Sequence, residues 1–164
     1  MNTINEKIND IEFLEPGVLS YEEVSLKLLE TVSANHSKGF VPIYKFGIYI
    51  DNSPVKIGHL SFKVGNNEHI ILYVGHIGFQ VDEKFRGRYY AYKACLALRK
   101  FILNYYNEII ITCNPDNISS VKTIEKLGAE FIECLEIPYG NLLSTERNET
   151  HKNRYIWNLT EKKY

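Results

Sequence analysis

The first half of the chain has the pattern of apolar and polar positions that is typical of β-strands. Residues 41–50 and 55–64 are rich in β-branched and aromatic side chains, and the turn sequence DNSP lies between them. This arrangement predicts a hairpin. The turn sequence GNN then precedes residues 69–81, an extended segment that we predict as a third successive antiparallel strand.

A helical period comes before these strands. Ser20 and Glu23 have the spacing of a capping box, in which each side chain satisfies a free backbone N–H group at the start of a helix. Apolar residues then recur at intervals of four, which places them on one helical face. We therefore predict a helix over residues 21–34.

Two further helices are predicted in the second half. One follows a basic turn, and a second begins after Asn117 or Asp116 as its cap and ends at Gly128, which supplies a left-handed stop. In the first of these two helices, Lys93, Arg99 and Lys100 are expected to face water. Its predicted buried face consists of Ala91, Ala94, Cys95, Leu98, Phe101 and Ile102.

Three short segments complete the predicted sheet. Residues 108–113 are almost wholly apolar, as expected of a strand that is covered on both faces. Residues 131–137 and 154–159 are predicted as the last two strands. The polar segment between them, residues 138–153, is predicted as a mobile loop.

The basic turn after Val81 has the features of an anion site. The first N–H groups of a helix have no partner within it, and the helix dipole places partial positive charge there. Gly87 lets a ligand approach the backbone, and Lys84, Arg86 and Arg88 add full charges around the same turn. The turn therefore predicts a polyphosphate ligand, with a solvated connection as the alternative.

Length and charge restrict the class of protein. A chain of 164 residues with 45% hydrophobic residues suits one compact domain over residues 1–164. The formal charge of −1 argues against nucleic acid as a partner. The first ten residues lack the apolar core of a signal peptide, and no run is long enough for a membrane helix. We expect a cytoplasmic protein with no membrane partner.

The cysteines suggest no metal or disulfide chemistry. Cys95, Cys113 and Cys134 are odd in number, lie far apart and fall inside predicted regular elements. We interpret them as reduced core residues. No metal site is predicted.

Two blocks of sequence resemble the GCN5-related N-acetyltransferase (GNAT) family over about residues 73 to 137. The first is the basic turn, where the family has Gln/Arg-x-x-Gly-x-Gly/Ala and this chain has KFRGRY, residues 84–89. Lys84 and Tyr89 depart from that pattern. The second block, about 30 residues later, matches Asn-x-x-Ser and Glu-Lys-Leu-Gly at residues 117–120 and 125–128. Both blocks occur in the family's order, with a helix and a strand between them.

The resemblance implies an α/β fold with a mixed, mostly antiparallel central sheet of about six to seven strands, flanked by helices. It also implies acetyl-CoA as the acyl donor, with its pyrophosphate in the turn and its pantetheine arm along the preceding strand. A backbone amide near residues 79–81 would stabilise the developing oxyanion. The implied cofactor-binding residues are Phe79, Gln80, Val81, Lys84, Arg86, Gly87, Arg88, Tyr89, Tyr90, Ala91, Asn117 and Ser120.

Catalytic side chains are less clearly marked. His76 is the candidate general base, because histidine titrates near neutral pH and the family often has a glutamate near this point; a histidine satisfied within the sheet is the alternative. The tyrosine that serves the family as general acid is replaced by Ile124. Tyr73, Tyr89, Tyr90 and Tyr155 are other hydroxyls that could serve.

These observations predict an N-acetyltransferase that acts on a primary amine of a small molecule by direct attack in a ternary complex. The amino group of a peptide or protein is a second possible acceptor. The alternative from another class is a non-catalytic acyl-CoA sensor or scaffold of the same fold, which Ile124 and Tyr89 favour. A homodimer is compatible with the sequence, which does not indicate an oligomeric state.

Overall fold

Eight strands form two antiparallel sheets in the computed structural model, which describes residues 11–161. The first sheet has five strands, each hydrogen-bonded to its neighbours in chain order. Its strands are β1 Leu19–Tyr21, β2 Val24–Val32, β3 Ile43–Ile50, β4 Gly58–Lys63 and β5 Ile77–Val81. The second sheet has the order β6-β8-β7. Its strands are β6 Glu108–Cys113, β7 Glu130–Glu136 and β8 His151–Asn158.

Three α-helices connect or cover these strands. Helix α1 spans Tyr90–Ile102 and joins the two sheets, α2 spans Ile118–Lys126, and α3 spans Leu142–Arg147. The apolar face of α1 packs on the five-stranded sheet, where Phe101 contacts the rings of Tyr44 and Phe62. No helix within residues 11–161 is long and apolar enough to cross a membrane.

The two sheets meet at the start of β5. The His76 N–H donates to the Ile110 carbonyl at 2.8 Å, and Gly75 turns the chain there with a φ of 70°. A side chain on Gly75 would lie only 3.0 Å from the Ile110 oxygen and the Thr112 nitrogen, so the close approach requires glycine. Beyond this junction no ladder joins β5 to β6, and a groove opens between the two strands.

Several predicted elements are confirmed. The hairpin of β3 and β4, the third antiparallel strand β5, the helix after the basic turn and the short strand β6 are all present. Asn117 caps α2 by accepting a hydrogen bond from the Ser120 N–H. The strand number differs from the expected six to seven, because β1 and β2 extend the first sheet.

The predicted helix over residues 21–34 is wrong. Val24 and Leu26 are buried, while Ser25 and Lys27, which follow each of them, are more exposed. This alternation is the two-residue period of a strand. Pairing with β3 along its full length outweighs the local helical period. Glu23 does not cap a helix, because its carboxylate forms an ion pair with Lys93 of α1 at 2.8 Å. Lys93 accordingly does not face water freely.

Three other predictions need correction. The first half of residues 69–81 is a π-helical turn, Ile70–Val74, and only its end is strand. The side chain of Asn67 starts this turn by accepting from the Ile70 N–H. The loop over residues 138–153 contains α3, whose Leu143 is buried. Cys134 is exposed rather than in the core, whereas Cys95 and Cys113 are buried.

Candidate active site

A continuous groove runs from the basic turn to a cavity between the two sheets. Its outer end lies between the turn and α2, and its middle lies between β5 and the start of α2. The outer end is lined by Val81, Phe85, Arg86, Gly87, Tyr89, Tyr90, Ala91, Ser119, Lys122 and Thr123. Neighbouring stretches of the groove share lining residues, so a long ligand could extend along all of it.

The backbone of the turn is open to this outer end. Gly87 has a φ of +82°, and no atom lies within 4 Å of the place where a Cβ would stand. Tyr89 also adopts the left-handed region, with a φ of 61°. This conformation favours glycine, which explains why the family motif has a small residue there and why Tyr89 costs on the order of 1–3 kcal/mol of strain.

The basic side chains of the turn have different positions. Arg86 lines the groove, and its Nε donates to the Val81 carbonyl at 2.9 Å, which holds the turn against the end of β5. Lys84 lies beside the ring of Phe85 and lines a separate shallow surface, away from the groove. Arg88 does not line the groove in the described part of the chain. Lys122 of α2 does line it, so two cations flank its outer end.

The middle of the groove exposes backbone from β5. The Asp82 N–H donates to the Ile57 carbonyl, and the His76 carbonyl accepts from the Lys63 backbone N–H. The backbone hydrogen-bonding groups of the even-numbered residues of β5 therefore point toward β4. In an antiparallel pair the backbone groups alternate between the two sides, so Phe79 and Val81 direct theirs to the groove. The lining here is Phe79, Gln80, Val81, Arg86, Ala91, Asn117, Ser119, Ser120 and Thr123.

The inner end is a polar cavity of about 450 Å³. Its walls come from β4, β5, β6, α2, α3 and β8, which are far apart in the sequence. Gly78 leaves room in it, because a Cβ there would be 3.3 Å from the Ser61 hydroxyl and 3.8 Å from the Lys63 amine. Its polar and charged lining includes His59, Ser61, Lys63, Gln80, Thr112, Asn114, Asn117, Ser120, Arg147, Glu149 and Lys152.

The cavity contains an ion pair and two unsatisfied oxygens. Glu149 and Lys152 are largely buried and lie 2.8 Å apart. The Asn114 Oδ1 and Glu149 Oε2 atoms are buried and have no hydrogen-bond partner among the described residues, apart from the ion pair that Glu149 Oε2 forms with Lys152. Buried oxygens of this kind are costly unless a donor reaches them, so they indicate a ligand with N–H or O–H groups.

His76 is a structural residue rather than a candidate base. It is only 3% exposed, its Nδ1 accepts from the Ile110 N–H at 2.9 Å, and its Nε2 lies 2.8 Å from the Asn66 Oδ1. Burial lowers the pKa of His76 to about 4, so the imidazole is neutral at physiological pH. Both ring nitrogens are engaged and the ring does not line the cavity, which argues against a role as the base.

No obvious general acid replaces the missing tyrosine. Ile124 belongs to the inward face of α2 and is fully buried in the core. Tyr73 and Tyr155 are buried outside the groove, and Tyr89 and Tyr90 lie at its outer end. Within the described residues no tyrosine lines the inner cavity.

Cys113 lines the inner cavity, although no sequence pattern indicated a cysteine there. Burial raises the pKa of the Cys113 thiol to about 11, so the thiol stays protonated at neutral pH. Because the thiolate is the reactive form, Cys113 is a poor nucleophile.

Three charged residues of the cavity were missed from the sequence: Lys63, Arg147 and Lys152. One local signal was available for Lys63. Along β4, Leu60 and Phe62 point into the core, and the polar side chains alternate with them toward the cavity. Arg147 and Lys152 approach from α3 and β8, and no short-range pattern connects them to β4.

Comparison with known proteins identifies a family. A model described as an acetyltransferase (GNAT) domain matches residues 8–130 of the chain. An uncharacterized N-acetyltransferase of Bacillus subtilis (strain 168), YnaD, is 27% identical over 139 residues, which is 81% of this chain and 74% of that protein.

Solved structures share the fold. An acetyltransferase of the GNAT family from Bacillus anthracis superposes with a TM-score of 0.61 at 18% identity, over 88% of this chain and 99% of that one. RimL, a ribosomal L7/L12 alpha-N-protein acetyltransferase in complex with coenzyme A, gives a TM-score of 0.60 at 15% identity, over 86% of this chain and 97% of that one. At these identities the likeness is one of fold.

Proposed function

Because the chain belongs to the GNAT acetyltransferase family, whose acyl donor is acetyl-CoA, we propose that it transfers the acetyl group to a primary amine by direct attack in a ternary complex. The observation that supports this most is the continuous groove, which leads from the glycine turn to the polar inner cavity. Such a path suits a long polyphosphate donor at one end and a separate acceptor at the other.

The donor would lie along the groove in one direction. Its phosphates would contact the turn at Gly87, with Arg86 and Lys122 beside them. The pantetheine arm would bond to the free backbone groups of β5, and Asn117 and Ser120 would face it from α2. The acetyl group would then reach the inner cavity near Phe79, whose N–H is the proposed donor to the developing oxyanion.

The acceptor is proposed to be a small-molecule amine. Helix α3 and the residues after it form part of the lining of the inner cavity. The volume of the cavity, about 450 Å³, is that of a small-ligand site. Glu149 is placed to hold the incoming amine.

Calorimetric titration with acetyl-CoA, followed by thiol release on a panel of amines, tests the proposed function. Micromolar binding with thiol release that depends on the amine is expected. Binding without turnover over the whole panel would favour the acyl-CoA sensor instead, and no binding would contradict the assignment of the groove.

A protein amino group is a second candidate, which the likeness to RimL favours, since that protein is described as a ribosomal alpha-N-protein acetyltransferase. Including a short peptide with a free amino terminus in the panel separates the two candidates: faster acetylation of the peptide than of every small amine would support the protein acceptor.

Replacing Cys113 by Ser should change kcat by less than about fivefold, because a protonated thiol does not form an acetyl-enzyme. Initial rates at several concentrations of both substrates should give intersecting lines, as a ternary complex requires. Parallel lines, or an acetylated Cys113 in the mass spectrum after incubation with acetyl-CoA alone, would contradict direct transfer. Cys134→Ser, at an exposed site outside the groove, is the matched control.

A further inference from the structure

The inner cavity has more basic than acidic side chains. Lys63, Arg147 and Lys152 line it together with a single carboxylate, that of Glu149. An amine acceptor is itself protonated in water near neutral pH, so a cavity with an excess of positive charge would repel a simple amine. The charge balance therefore indicates a second, negatively charged group on the ligand.

Two of the three cations have no carboxylate partner. Lys152 is paired with Glu149 at 2.8 Å, whereas neither Lys63 nor Arg147 forms an ion pair with any residue of the range 11–161. The Lys63 amine donates a hydrogen bond to the Ser61 hydroxyl at 3.3 Å. Burial and the nearby charge of Arg147 lower the pKa of Lys63 to about 8, so holding this charge is unfavourable without an anion.

The unsatisfied oxygens complement this pair of cations. Asn114 Oδ1 is buried without a hydrogen-bond partner in the described part of the chain, and Glu149 Oε2 has no hydrogen bond there besides its ion pair with Lys152; both residues line the same cavity. Both atoms accept hydrogen bonds and neither can donate one, so they suit an ammonium or amine group. The cavity thus offers acceptors for one end of a ligand and cations for the other.

We propose that the acceptor is a small primary amine that also bears a carboxylate or phosphate group. Its amine would bond to Glu149 and Asn114, and its anion would lie between Lys63 of β4 and Arg147 of α3. This inference rests on the acetyltransferase function proposed above and specifies the acceptor of that reaction.

Three probes of similar length test the charge: β-alanine with a carboxylate, phosphoethanolamine with a phosphate, and ethanolamine with neither. We expect kcat/KM to be at least about tenfold higher for one anionic probe than for ethanolamine. The preferred anion distinguishes carboxylate from phosphate recognition.

In Lys63→Met and Arg147→Gln the ratio of kcat/KM for the anionic probe to kcat/KM for ethanolamine should fall by at least about tenfold. Lys100→Met, an exposed site on α1 outside the groove, is the control and should keep the wild-type ratio.

The pH dependence gives an independent readout. As pH rises through about 8, Lys63 loses its proton and its attraction for the anion, so the KM for the anionic probe should rise. Lys63→Arg stays protonated, so this rise should be absent in it. The groups that face Lys63 are otherwise the same in both proteins. They are His59, His69, His76, Arg147, Glu149 and Lys152.

The outcomes separate this inference from the proposed function. Thiol release with ethanolamine at least as fast as with either anionic probe would overturn the anionic acceptor and leave the acetyltransferase function intact. Faster acetylation of a peptide without an anionic group than of the anionic probes, at a rate that Lys63→Met does not change, would also overturn the anionic acceptor. Binding of acetyl-CoA without turnover of any amine would instead contradict the function itself.

Discussion

Replacing Gly87 by Val will weaken the binding of acetyl-CoA by at least about tenfold, which corresponds to about 1.4 kcal/mol. Gly87 has a φ of +82° and faces open space at the outer end of the groove. A branched side chain there would occupy the space in which a phosphate approaches the backbone N–H groups. The measurement is a calorimetric titration of each variant with acetyl-CoA.

Gly39 provides the matched control for this substitution. It has a φ of +69° and open space around it, as Gly87 does, but it follows the short 3₁₀ turn His36–Lys38 and does not line the groove. Valine at either position should lower the free energy of unfolding by a similar amount, on the order of 1–3 kcal/mol, because both substitutions place a side chain on a left-handed backbone. Equal loss of affinity in both variants would show that strain, and not the phosphate site, causes the effect.

The outer end of the groove was predictable because its determinants are contiguous. The turn, the helix α1 that starts beside it and the cap of α2 at Asn117 each rest on residues within a few positions of one another. A glycine that follows a strand and precedes an amphipathic helix is typical of an anion-binding turn. The comparison with the family then required only the order of two such blocks.

The inner end was not predictable in the same way. The cavity is built by strands and two helices whose positions depend on long-range contacts, and the side chains of Lys63 and Arg147 come from positions far apart in the chain. The same cause explains the error over β2, where local spacing favoured a helix and pairing with β3 made a strand. It also explains His76, whose partner on β6 lies 34 residues away.

Replacing His76 by Gln will lower the free energy of unfolding near neutral pH by roughly 1–3 kcal/mol. The glutamine amide can still donate to Asn66, but the Ile110 N–H at the junction of the two sheets loses the Nδ1 acceptor that now lies at 2.9 Å. A buried N–H without a partner carries the desolvation cost in full. Urea unfolding of both proteins measures the difference, and His36→Gln, at an exposed site, is the control.

The cost of this substitution should shrink in acid. Burial lowers the pKa of His76 from 6.5 to about 4. Between these values the unfolded chain takes up a proton that the folded chain does not, so the wild type loses stability as pH falls below 6.5, by up to about 3 kcal/mol at about 1.4 kcal/mol per pH unit. The glutamine variant lacks this term, so the two unfolding curves should converge toward pH 4.

The rate of acetyl transfer separates the structural role from catalysis. Because both nitrogens of His76 are engaged and the ring lies outside the cavity, the pH profile of kcat should keep its shape in His76→Gln under conditions where the variant is folded. If the substitution instead removed an increase of kcat with rising pH, His76 would be the group that accepts the proton of the amine. In that case the imidazole must leave Ile110 and Asn66 during turnover, and the junction between β5 and β6 must open with it.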